Sequence, residues 1–305
     1  MNSPSQSAII EYLAVDIPTF TAAVVAASRS FDNTRPWWRG QRQADWSLHP
    51  SLYRLGFASK EVNLNARFRL MAKARRGEVP DNSDALGWLF LMQHYRLPTR
   101  LLDWSQSPLV ALYFATEKPD DTDAALWALS PTRLNSVEAK TASICMPQSR
   151  TVGLLGVQAF RRDNERSDTR ILAVLTEEAD LRHLVQQSSF TLHGRGDPLD
   201  QAEASPSFLV KVRIPSVAKE GLRQALALLG INRASLFPDL ENLALELQGL
   251  EFEHQSKVEE LADEPPIAPT LRSTGQPNSG AARRRWVPSA PSALRLPVSS
   301  TLGQH

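Results

Sequence analysis

One cysteine, Cys145, is all the thiol this chain of 305 residues contains. A lone thiol cannot build an intramolecular disulfide framework, and such usage fits a reducing compartment. No uninterrupted apolar run approaches the roughly 20 residues that span a bilayer, so no membrane segment is expected. The opening MNSPSQSAIIEYLAVDIP has neither a basic start nor a sustained apolar core, so no secretory signal is expected. These absences read together as a soluble, cytoplasmic protein.

Several chemistries are missing as well. There is no G-x-x-x-x-G-K-[ST] loop and no G-x-G-x-x-G turn to cradle phosphates. There is no G-x-S-x-G nucleophile elbow. The six histidines form neither H-E-x-x-H nor any paired ligand spacing, so no metal site is expected. Cys145, within SICMPQ, has no local activating group and reads as a small hydrophobe.

Charge is nearly balanced, with 34 basic and 33 acidic residues, but it is unevenly placed. From Pro265 onward there are five arginines, seven prolines and no acid. A slightly acidic body with a basic end is a poor electrostatic match for a dedicated nucleic-acid domain. Residues 251–305 read as a disordered tail, because Pro- and Ser-rich sequence cannot bury enough surface to offset its ordering entropy. Within it, Arg283-Arg284-Arg285-Trp286 either contacts phosphates or an acidic partner or is a solvated linker. The composition favours the linker.

The body reads as α+β, a short-stranded mixed sheet flanked by helices, because strands and helices do not alternate strictly. Helices are expected over 18–30, with Pro18 in the first turn, and over 83–95, capped by Ser83 or Asp81. A helix opened by Ser107-Pro108 follows, then helices over 216–229, stopped by Gly230, and from Pro238-Asp239 to Gly249. Strands are expected over 35–41, 97–104, 124–129 and 208–214. Alternation puts Trp37, Arg39 and Gln41 on one face of the first and Trp38 with Gly40 on the other. In the second, Thr99, Leu101 and Asp103 share a face and Arg100, Leu102 and Trp104 share its opposite. In the last, Phe208, Val210, Val212 and Ile214 point inward. Residues 1–29 form a helical lead to a main domain over 30–250.

The most informative stretch is 93–115, QHYRLPTRLLDWSQSPLVALYFA. It sets Gln93, His94, Thr99, Arg100 and Asp103 among segments apolar enough to be buried, where an unpaired polar group costs several kcal/mol. Such groups form either a structural network or a site. Trp38-Arg39-Gly40-Gln41 places a second polar group in an equally aromatic setting.

These stretches carry a family likeness. WWRGQ at 37–41, WSLHPSLYR at 46–54 and QHYRLPTRLLDWSQSPLVALYFA at 93–115 resemble the FRG domain, with Trp38 in place of the phenylalanine of its F-R-G tripeptide. ALWALSPTRLN at 125–135, QQSSFTLHG at 186–194 and IPSVAKEGLRQALALLGINRASLFPDLENLALEL at 214–247 extend the resemblance in order. Ser188 stands where that family usually has glycine. The family is typical of bacterial and phage proteins. Its strand arginine, Thr-Arg…Asp strand and final acidic block resemble, distantly, the ADP-ribosyltransferases. The resemblance implies a nucleotide-binding site that takes NAD as substrate, with no tightly bound cofactor, in toxin action or phage defence.

Within that reading Arg39 holds a phosphate bidentately. Its alternative is a buried pair with Asp103 or Glu241 that fixes the fold. Thr99 and Asp103 orient ribose hydroxyls, or Asp103 caps the chain that follows. Gln41, Arg100 and Trp104 complete the nucleotide-binding candidates, and Trp37, Trp38 and Trp104 are either ring-stacking groups or core. His94 acts as an acid or caps its own helix. Glu241 stabilises a sugar cation as the glycosidic bond breaks, or complements a helix dipole in its first turn. The competing reading is a non-catalytic module that binds a protein, or nucleic acid through the basic tail.

Overall fold

A computed structural model describes residues 8–118, 121–161, 168–175, 181–245, 247–249 and 251. The tail from 252 on, with Arg283–Trp286, lies outside the described residues. Seven strands form one mixed sheet: β1 (Ile10–Leu13), β2 (Trp37–Gln41), β3 (Leu101–Ser105), β4 (Ala124–Leu129), β5 (Ile171–Val174), β6 (Ser188–His193) and β7 (Leu209–Ile214). Their order is β1-β7-β4-β2-β3-β6-β5. Only the β1–β7 pair is parallel among them; the others are antiparallel. This is the α+β arrangement expected from the order of elements. The expected helical lead adds a strand as well as a helix, since β1 pairs with β7 along its whole length.

Helices cover the sheet: α1 (Ile17–Ser30), α2 (Ser51–Arg54), α3 (Glu61–Ala72), α4 (Ala85–His94), α5 (Pro108–Thr116), α6 (Pro131–Ala139), α7 (Arg150–Val157), α8 (Leu181–Gln186), α9 (Ser205–Phe208), α10 (Ser216–Leu228) and α11 (Arg233–Leu236). On one face α1, α5 and α10 close a core over Trp38, Leu126, Ala128, Val210, Val212 and Ile214. A second core joins Trp37, Leu102, Trp104, Trp127 and Leu129 to α6 and the loop carrying Leu48. A third packs α4 and α7 on Leu101, Phe190 and Leu192. Among the described residues no helix is long and apolar enough to cross a membrane.

Local chemistry explains the boundaries. Asp16 caps α1 in a reciprocal box with Thr19, and Pro18 follows in the first turn. Ser107 caps α5 through Val110 N–H. Gly230, at φ 80°, ends α10 as its left-handed stop. The cap of α4 is Asp84, which accepts from Gly87 N–H at 2.8 Å, rather than Ser83 or Asp81. Asp81 instead lends its carbonyl to Trp88 Nε1 at 2.9 Å.

Three strand expectations shift, the first only in that the strand expected from 35 starts at Trp37. The strand expected from 97 begins at Leu101, because Leu97 N–H is drawn back to Met92 and Thr99 O accepts from Leu52 N–H of α2. Arg96 turns the chain there with φ 63°. Phe208 ends α9 rather than opening β7, and it packs in the core opposite Val210, Val212 and Ile214.

Candidate functional site

Each of β2 and β3 is fully paired with its outer neighbour, β4 and β6. With each other they share one register pair, Trp38 with Ser105. The sheet therefore forks at its centre, and a fork leaves main-chain polar groups that need partners. Arg39 fills it: Nη1 donates to Asp103 O at 2.8 Å and lies 3.9 Å from Asp103 Oδ2. Its buried Nε has no hydrogen-bond partner among the described residues. Burial lowers the Arg39 pKa, Asp103 opposes that, and the nearby Arg54 charge adds to it. A guanidinium in this position stays protonated and is under-compensated.

A cavity of about 440 Å³ opens at the fork. That lies within the range of about 300–1,000 Å³ typical of small-molecule sites. Trp38, Arg39, Gly40 and Gln41 of β2 and Asp103, Trp104 and Ser105 of β3 line it. Arg42, Arg54 and Arg96 add three more guanidinium groups, against the carboxylates of Asp103 and Glu117. Glu117 is engaged by Arg233 at 3.6 Å. Arg54 and Arg96 form no hydrogen bond or ion pair through their side chains with any described residue. The cleft is thus electropositive, with free donors at its rim.

Gly40 lets α5 form one wall. A Cβ at that position would meet Ala111 O at 1.9 Å and Ala115 N at 2.7 Å. Only glycine allows the helix main chain so close to the strand.

The expected residues separate into three groups. Arg39 and Asp103 meet in the cleft. Gln93 joins them by donating to Asp103 Oδ2 at 2.8 Å, and buried Thr99 donates to Gln93 Oε1. Thr99 thus holds the residue that holds Asp103 and does not line the cleft itself.

Gln41 and Trp104 touch the cleft but are committed to the fold. Gln41 bonds Ser47 O at 3.1 Å and Trp127 Nε1 at 2.8 Å. Trp104 donates to Thr191 Oγ1 at 3.1 Å, and Thr191 in turn bonds His193 Nε2 at 2.9 Å.

Arg100, His94 and Glu241 are absent from the cleft lining. Arg100 is buried and bidentate with Glu61 of α3, at 2.8 and 2.5 Å. Strand alternation sends it away from Asp103, so its charge requires a buried partner elsewhere. His94 ends α4 with its ring edge-on to Tyr95. Glu241 is exposed in a helical turn that Asp239 opens by accepting from Asn242 N–H at 2.9 Å. No Arg39–Glu241 ion pair exists among the described residues.

The rim arginines Arg54 and Arg96, and Trp46, were not singled out by sequence. WSLHPSLYR does contain two of them, but nothing in its pattern reveals which side chains turn toward the cleft. Half-buried Cys145 has its thiol pKa raised by burial, as suits an unreactive residue. Among the described residues no cluster of His, Cys, Asp and Glu could hold a metal ion.

A family model described as FRG domain matches residues 34–124. Every lining residue of the cleft except Gln186 and Ser188 falls inside that segment. No curated protein and no solved structure matches the chain.

Proposed function

The chain carries an FRG domain at residues 34–124, and from that premise we propose that its forked cleft binds a phosphate-bearing nucleotide. The observation that carries this reading is the gathering of Arg39, Arg42, Arg54 and Arg96 around one cavity, with the Arg39 Nε unpartnered. Planar guanidinium groups suit phosphate oxygens, and two or more of them suit a diphosphate. In this reading Arg39, Arg54 and Arg96 take the phosphates. Asp103, held by Gln93 and through it by Thr99, accepts from ribose hydroxyls. Gln41 and Trp104 shape the floor.

NAD is the dinucleotide to test first. An ADP-ribosyl transfer needs a carboxylate near the sugar carbon where the bond breaks. Asp103 is the half-exposed carboxylate of the cleft, so the transfer reading rests on Asp103 rather than on Glu241. Toxin action or phage defence, the setting implied by the resemblance, is part of the same proposal.

The test is thermal unfolding with NAD or ADP in excess. Bound ligand stabilises the folded state by mass action, by about 2.7 kcal/mol at a hundred times Kd, and so raises the midpoint. Arg39→Gln is expected to abolish the rise, and no rise in the wild type at millimolar ligand rejects the reading. Nicotinamide release then reads turnover. Release lost in Asp103→Asn supports transfer in the cleft, whereas binding without release supports a non-catalytic module.

A further inference from the structure

A nucleotide needs a seat for its ring as well as its phosphates. The tryptophans nearest Arg39 cannot supply one: Trp37 and Trp38 are each 2% exposed and Trp104 is 3% exposed. Each is core. Trp46 differs, being half-buried and part of the cleft lining. The Arg42 guanidinium lies over its ring, 5.5 Å from the centroid. Planar guanidinium and indole faces are the two surfaces on which nucleic-acid bases stack without needing edge contacts.

The loop carrying this pair is held at several points of its main chain. Gln41 Nε2 donates to Ser47 O at 3.1 Å, and Ala44 N–H donates to Asp123 O at 2.7 Å. Lys211 of β7 donates to Ala44 O at 2.9 Å, and Lys219 of α10 donates to Arg42 O at 2.8 Å. Lys219 is only 2% exposed. Lysine is rarely buried so fully, because desolvating an ammonium is costly. Here the ammonium fixes the main chain of Arg42 from behind. A loop anchored in this way loses little further entropy when a ligand settles on it.

We propose that Trp46 and Arg42 form a preset stacking platform for the nucleobase, with Lys211 and Lys219 as positioning residues that hold it. This rests on the nucleotide reading of the cleft and adds a ring subsite to it. Arg39, Arg54 and Arg96 take the phosphates at one end while Trp46 and Arg42 take the base at the other.

Calorimetric titration with inorganic pyrophosphate and with ADP separates the two layers. For the wild type, ADP is expected to bind at least about tenfold tighter than pyrophosphate, the scale of one stacked base. Trp46→Ala is expected to weaken ADP binding about tenfold, leaving only what the ribose contact to Asp103 adds, with pyrophosphate affinity unchanged, which also shows that the variant is folded. Trp46→Phe keeps most of the advantage. Lys219→Met is expected to reduce the advantage without touching pyrophosphate binding. If both ligands bind the wild type equally, or if Trp46→Ala keeps the full ADP advantage, the platform is overturned while the phosphate site stands. If neither ligand binds the wild type, the nucleotide reading falls and the platform falls with it.

Discussion

Arg39 Nη1 donates to the main-chain carbonyl of Asp103 at 2.8 Å, so one side chain bridges two central strands where their own ladder stops. The same guanidinium faces a cavity with its Nε unsatisfied. A structural role and a binding role therefore coincide in one residue. They are separable, because the first needs one donor and the second needs the planar fork.

Arg39→Lys tests that separation. A lysine keeps the charge and one donor for the Asp103 carbonyl but has no planar fork to offer an anion. Stability measured by urea unfolding is expected to change by no more than about 1 kcal/mol, the net worth of one hydrogen bond, while the rise in melting temperature with ADP is lost. A rise that persists in the variant would show that binding does not need the fork.

Gly40→Ala is expected to be among the most damaging of single-methyl additions. Its Cβ would sit 1.9 Å from Ala111 O, a main-chain atom that cannot rotate away. Overpacking typically costs about 1–3 kcal/mol, and displacement of a whole helix puts this case at the upper end. Denaturant unfolding of the variant reads the cost directly. Wild-type stability would show that α5 can slide.

Arg100 gives a contrasting result. Its pair with Glu61 is sealed, at 7% and 4% exposure, away from the cleft lining. Glu61→Gln leaves a buried guanidinium uncompensated and is expected to cost about 3–5 kcal/mol. At temperatures where the variant stays folded, its nucleotide affinity is expected to match the wild type. A loss of affinity equal to that of Arg39→Gln would place Arg100 in the site instead.

His193 sets a pH dependence. It is fully buried, and burial first, then the charges of Arg195, His49, Arg100 and Arg39, push its pKa from 6.5 down to about 3. Between those values the unfolded chain holds a proton that the folded chain refuses. Stability is therefore intact above about pH 7 and falls as pH drops through 6.5, by about 1.4 kcal/mol per unit within the window. At pH 5 the cost is about 2 kcal/mol. His193→Asn is expected to flatten that part of the stability–pH curve; an unchanged slope would show that His193 titrates normally.

The parts of the fold legible in sequence were those with a local cause. Pro18, Ser107-Pro108 and Gly230 mark helix ends that depend on nearby residues alone, and β4 is a plain apolar run. Strand β1 is a short, largely exposed edge and β6 pairs with β3 far back in the chain, which hides both from a local pattern; β5 is a short apolar run paired with the next strand, β6, and was not singled out. Asp103 and Arg39 were paired as one of two alternatives, and the structure selects that one over Glu241. The fork itself was not legible. It depends on β2 and β3 each preferring an outer neighbour, a relation among four strands spread over residues 37–193. For the same reason the choice of Trp46 over Trp104 as the accessible indole required the packed core.

The most direct measurement is a crystal structure of the protein soaked with NAD. The diphosphate is expected within hydrogen-bond distance of the Arg39 guanidinium and of the Arg54 or Arg96 guanidinium, with one ring against Trp46. Density for NAD elsewhere, or a cleft that stays filled only by its own side chains at saturating ligand, would contradict that placement.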